Sequence, residues 1–160
     1  MSEIKLGCIA IDQASGLEGT VISKLESFNG NVSYALQPKA TKGADKLPEA
    51  WNFDGALVKY KGKGISDQST PAQATDIQVG DEVEDIISGH IGIVASKTTF
   101  INGCVYFNVE SKSNPAKKIE ATAMFISCVR LKKMKVHLKP IMPKGEKPTG
   151  GPSTRAMRAC

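Results

Sequence analysis

The chain writes one stretch twice. Residues 80–112, GDEVEDIISGHIGIVASKTTFINGCVYFNVESK, repeat residues 7–39, GCIAIDQASGLEGTVISKLESFNGNVSYALQPK, and a shift of 73 positions aligns the two without a gap. Gly7, Asp12, Ser15, Gly16, Gly19, Asn29 and Gly30 fall on Gly80, Asp85, Ser88, Gly89, Gly92, Asn102 and Gly103. Self-similarity at a fixed period constrains the architecture more tightly than composition does. Two copies at so long a period predict tandem small domains rather than a solenoid.

Each copy reads as short strands separated by turn chemistry. In the first, Cys8–Ile11 and the β-branched Thr20–Ser23 are strand-like, and Ser15-Gly16 and Glu18-Gly19 are turn signals. Asn29-Gly30 predicts a tight two-residue hairpin, whose type I′ turn needs φ > 0 at both central residues. Residues 32–36 alternate with period two on its far side, and Gln37–Glu49, with Pro38 and Pro48, reads as a loop. The second copy follows the same plan around Asn102-Gly103. There Phe125 and Val129 keep the spacing of Phe53 and Leu57 if one residue is lost from the preceding loop. Five short strands with one long loop and little helix describe a small half-open β-barrel. Residues 1–60 and 78–132 thus form two barrels. Residues 61–77, rich in Gly, Ser, Thr and Gln, read as a flexible linker, and Lys61-Gly62-Lys63-Gly64 lacks the spacing of a phosphate-binding loop.

Charge is unevenly distributed. Residues 1–60 carry six Lys against seven acids, net −1, and residues 76–112 carry two Lys against six acids, net −4. Residues 113–160 carry eleven Lys plus Arg against two acids, net +9. Residues 133–160 form a basic, Pro/Gly-rich arm. Residues 132–139 alternate basic and apolar side chains and can extend the last strand, whereas the composition of residues 140–160 alone buries too little apolar surface to fold. An arm of this kind suits an anionic partner. Lys132, Lys133, Lys135, Lys139, Arg155 and Arg158 are its candidate partner-binding residues. No run of about 18 apolar residues predicts a membrane span, and Met1–Cys8 does not read as a signal peptide.

Nothing reads as a catalytic or metal constellation. The four cysteines form no C-x-x-C pair, and Cys8 and Cys128 lie in apolar segments as small buried hydrophobes. His90 and His137 have no carboxylate or nucleophile at a readable spacing. The matched Asp-Ser-Gly turns admit two explanations. Asp12, Ser15, Gly16 and Gly19, with Asp85, Ser88, Gly89 and Gly92, either cap tight turns or line a ligand site between the barrels. Most aromatics fall in strands and read as core. Tyr60, beside Lys59 and Lys61, is the best candidate for base stacking, followed by Tyr106 or Phe107.

The repeat resembles SH3-like small barrels, including KOW-type domains. It also looks like a short domain of tailed-bacteriophage proteins with the pattern G-x-x-V-x-D-x-x-[ST]-G-x-x-G, an aliphatic or aromatic pair before N-G-C, and a later Phe. The second copy matches at Gly80, Val83, Asp85, Ser88, Gly89, Gly92, Phe100, Ile101, Asn102, Gly103, Cys104 and Phe125. The first departs with Ala10 in place of Val83 and Asn31 in place of Cys104. The resemblance covers roughly residues 5–60 and 78–132 and carries no catalytic residues. It implies an all-β chain of two tandem SH3-like barrels plus an extended C-terminal arm, and a phage origin.

These observations predict a non-enzymatic virion structural protein without cofactor or metal, made in the host cytoplasm and carried in the virion. The expected role is capsid decoration or cement, or another head-associated place in a symmetric assembly. The partners would be the major capsid protein or neighbouring copies. The alternatives are a KOW-like nucleic-acid-binding accessory protein and a phage protein that sequesters a small nucleotide.

Overall fold

The computed structural model describes residues 4–111, 116, 121–136 and 138. Among them there is no α-helix. Ten strands form one antiparallel sheet in two modules of five. Module one comprises β1 (Ile9–Asp12), β2 (Glu18–Ser27), β3 (Val32–Gln37), β4 (Trp51–Asp54) and β5 (Val58–Gly62). Module two comprises β6 (Asp81–Asp85), β7 (Ile91–Phe100), β8 (Val105–Glu110), β9 (Ala123–Ser127) and β10 (Leu131–Val136). Each module runs as a meander in which the fifth strand returns to pair with the first, giving the orders β5-β1-β2-β3-β4 and β10-β6-β7-β8-β9.

The 73-residue shift governs the hydrogen bonds as well as the letters. Gly7 N donates to Val21 O at 2.7 Å, and Gly80 N to Val94 O at 2.8 Å. Gly19 lies against Gln37, where an added Cβ would sit 2.7 Å from the backbone. Gly92 lies against Glu110 in the same way, at 2.5 Å. The register shift between Val21 and Ser23 in β2 recurs between Val94 and Ser96 in β7.

The same register corrects two sequence expectations. Tyr34 pairs with Phe53, and its counterpart Phe107 pairs with Ile126. Phe53 therefore corresponds to Ile126 and Leu57 to Arg130, with no residue lost from the loop. Phe125 is instead the counterpart of Asn52. The hairpins also differ from the expected two-residue form. Ser27 N donates to Asn31 O and Gly30 N to Ser27 O, each at 2.9 Å. Only the third loop residue needs the left-handed region, which Gly30 occupies at φ 86° and Gly103 at φ 84°. This is the three-residue loop in which a turn is followed by a glycine bulge.

Each module has its own core on one face of its sheet. Cys8, Ala10, Val21, Leu36 and Val58 form the first, with Tyr34 and Phe53 packed against it. Ile77, Val83, Val94, Val105, Phe107, Val109, Ile126 and Cys128 form the second. Corresponding positions trade volume. Ala10 faces Val83 across the alignment, Leu36 Val109, Tyr34 Phe107 and Phe53 Ile126, so total filling is kept while single sites change. Burial pushes the Cys8 and Cys128 thiols up, which keeps them unreactive.

The modules join strand to strand. Beyond their bulges, Ser23–Ser27 of β2 pair antiparallel with Ser96–Phe100 of β7. Leu25 sits opposite Thr98, its own counterpart, so a pseudo-twofold axis passes between them. Two flanking bonds obey it: Phe28 N to Ala95 O and Ile101 N to Ile22 O, both 2.9 Å. Left alone, each half-strand would be an open edge with unpaired backbone groups, and its twin supplies the missing partners.

The segment between modules is not loose, contrary to its composition. Thr70 N bonds Ile101 O and Gln73 N bonds Gly103 O, both at 2.9 Å. The Gln73 amide oxygen accepts from Val105 N at 3.3 Å. Ile77 is 3% exposed and belongs to the second core.

Candidate docking face

The ladders from β4 through β3, β2, β7 and β8 to β9 are continuous, so directly opposed residues share a face. Asp54, Ser33, Leu25, Thr98, Tyr106 and Ser127 form one such row across all six strands. This face lies opposite the two cores. In module one it carries Ser27, Ser33 and Asn52. At the corresponding places in module two it carries Phe100, Tyr106 and Phe125.

The three rings touch. Tyr106 and Phe125 stack with centroids 4.9 Å apart and an interplanar angle of 15°. Phe100 meets Tyr106 edge-on at 5.8 Å and Phe125 at 6.4 Å. Phe125 is 54% exposed. Module one keeps the same strands and registers with two serines and an asparagine, so the rings are not required to form the module. They are the addition that the second copy makes to a shared scaffold. Clustered aromatics on a surface of small polar residues are the composition of a protein-binding patch.

Of the aromatics picked out for base stacking, Phe107 is fully buried and Tyr60 is 39% exposed on β5. Tyr106 lies in the ring cluster. Lys24 and Lys97 point to the opposite face, across from Tyr34 and Phe107. Base stacking draws on adjacent cations, and the described residues of the ring face supply none.

The lysines of β10 lie elsewhere, on an outer edge strand that pairs with β6 alone. Lys133 Nζ is 3.2 Å from Asp81 Oδ2, and Lys135 Nζ is 3.9 Å from Glu82 Oε1. Asp81 is 2% exposed, so Lys133 neutralises a buried carboxylate. Lys132 is exposed and makes no ion pair among the described residues. Charges along an edge strand also block pairing with other chains. Lys139, Arg155, Arg158 and His137 lie outside the described residues.

The Asp-Ser-Gly turns are capped from within. Asp12 Oδ2 accepts Ser15 N at 2.7 Å, and the Ser15 bonds hold its carboxyl below the usual range. Asp85, fully buried, accepts Arg130 Nη2 at 2.6 Å and Arg130 Nε at 3.1 Å. It also accepts the Ser88 hydroxyl at 2.5 Å and Ser88 N at 3.2 Å. The Arg130 guanidinium, then Ser88, holds the Asp85 carboxyl well below the carboxylate range. In the sheet order β2 and β7 separate β1 from β6, so the two turns are not brought together around a shared ligand.

Sequence reasoning missed two features, the ring cluster and the role of Arg130. Both become visible once the 73-residue shift is carried past the loop, because it sets Arg130 against Leu57 and Phe125 against Asn52. Among the described residues no group of acids, His and Cys could hold a metal ion, and no helix is long and apolar enough to cross a membrane. Comparison of the chain with protein-family models, curated proteins and solved structures finds no match.

Proposed function

We propose that this chain is a non-enzymatic structural protein of a phage particle. It acts as a capsid decoration or cement protein, binding neighbouring subunits through its modules and its C-terminal arm. The observation that carries this reading is the ring cluster of Phe100, Tyr106 and Phe125, present in one module and replaced by small polar residues in its twin. Full burial of one such side chain contributes roughly 1.5–3 kcal/mol, so three rings on one patch anchor a protein partner. The five-strand meander with its last strand back on its first, entered in module two through the 3-10 turn Cys128–Arg130, supports reading each module as an SH3-like small barrel. Lys133–Val136 belong to β10 rather than to the arm, contrary to the sequence expectation. The basic chain beyond β10 adds a ribbon to the same partner, the major capsid protein or neighbouring copies in a symmetric shell. Synthesis in the host cytoplasm and residence in the virion follow from that role.

Mass spectrometry of purified virions tests it: high copy number supports the assignment, and absence from the particle rejects it. A second reading, a nucleic-acid-binding accessory protein, is favoured by the net +9 of residues 113–160. Its signature is affinity that falls steeply with salt as phosphate contacts release counterions. Filter binding at two salt concentrations separates the two.

A further inference from the structure

Beside the pseudo-twofold junction lies an open groove of about 350 Å³, lined by Phe28, Ile93, Ala95, Glu110, Ser111 and Leu138. The 73-residue shift maps it onto a second place, around Ile101, Thr20, Ile22, Gln37, Pro38 and Ile65. That second place is crossed by the chain. Ile65 N donates to Gly7 O at 2.8 Å, and the residues that follow run to the module-two hairpin, where Thr70 N reaches Ile101 O and Gln73 N reaches Gly103 O. A Cβ on Gly103 would lie 2.5 Å from Pro71 O, so the contact is close.

The path into the first groove starts in the same way. Leu138 N donates to Gly80 O at 2.9 Å, the twin of the Ile65 bond. Residues 139–146, KPIMPKGE, follow directly. They have the length of 66–73, and Ile141 and Met142 suit an apolar groove as the polar 66–73 stretch would not. Glu146 stands where Gln73 stands, and a carboxylate accepts a backbone N–H as an amide oxygen does. Pro143 stands at Thr70 and has no N–H to repeat that bond. In a docked segment the hold would therefore fall to Ile141, Met142 and residues 144–146.

We propose that residues 139–146 dock in cis in the groove beside Phe28 and reach the module-one hairpin, as 66–73 reach the hairpin of module two. The chain thereby crosses the pseudo-twofold twice, once in each direction. The arm available to a partner then begins at Lys147, on the module-one side of the molecule, with Arg155 and Arg158 on it.

Amide hydrogen exchange of the full-length chain tests this. The amides of Lys144, Gly145 and Glu146 should exchange about tenfold or more slowly than those of residues 153–158 in the same molecule. Glu146→Ala should remove most of that difference, while Glu146→Gln, which copies Gln73, should retain it. Phe28→Ala should also remove it, with the Val83 and Phe107 amides still slow as proof of fold. Exchange at one uniform rate from 141 to 158 overturns the proposal. Slow exchange in a particle that light scattering finds dimeric overturns the cis assignment, because the segment then comes from a second copy.

Discussion

Leu25 and Thr98 occupy the same place in the two repeats and face each other directly across the β2–β7 ladder. The bonds at Phe28–Ala95 and Ile22–Ile101 fix the alternation of the ladder, which makes Leu25–Thr98 a pair without mutual backbone hydrogen bonds. Such pairs bring their Cα atoms to about 4.5 Å. The joint is that of an isologous dimer built within one chain.

That geometry is within disulfide reach. The variant L25C/T98C should form an intramolecular bridge on mild oxidation, read as a linked peptide pair by mass spectrometry without reduction. A bridge from either new cysteine to Cys8, Cys104 or Cys128 instead would contradict the register.

Replacing the three rings by their module-one counterparts, F100S/Y106S/F125N, should leave the fold in place. The cost should be about 0.5–1.5 kcal/mol for each ring pair lost, on top of the apolar area that half-buried Phe100 and Tyr106 give up, measured by urea unfolding. The same variant should fail to bind particles stripped of the wild-type protein. Unchanged particle binding would remove the ring cluster from the docking reading.

Arg130→Leu copies Leu57 into module two and leaves Asp85 with Ser88 and the turn amides. At pH 7 the variant should unfold at lower urea, because a buried carboxylate has lost its cation. Its pH response follows from the sign of the shift. The Asp85 carboxyl is depressed in the folded protein, so its stabilisation is complete above the unfolded value of about 3.9 and is lost as pH falls below it. Weakening that depression should flatten the loss of stability in R130L between about pH 4 and 2 relative to wild type. Parallel curves for the two proteins would show that the pair does not set the acid limb.

Gly92→Ala places a methyl group 2.5 Å from the Glu110 carbonyl oxygen, in a ladder that cannot move without disturbing β8. The expected cost is about 1–3 kcal/mol. Gly19→Ala, against Gln37 at 2.7 Å, should cost a similar amount by the same assay.

The strands were legible because their letters are local. Val21, Val94 and the Asn-Gly pairs announce β segments and hairpins without reference to anything distant. The junction was not legible. Ser23–Ser27 has the same propensity whether it stays an edge or meets a partner, and only the closed ladder with Ser96–Phe100 decides. The loop before β9 misled for a related reason. Setting Phe125 on Phe53 matched like with like, whereas the register matches positions, and position put Phe125 on the outer face. The linker was misjudged because polar composition describes what a segment can bury, not which backbone groups it can bond, and Thr70 and Gln73 bond through theirs.

If the ring cluster is the docking spot, the one-sided placement of Phe100, Tyr106 and Phe125 sets the valency of the sheet face. Had Ser27, Ser33 and Asn52 been rings too, each chain would offer two equal sticky ends and could bridge partners into open strings. On the docking reading proposed above, a doubled skeleton with rings on one half only takes one partner at its sheet face, as a stud rather than a link, and leaves any second contact to the arm.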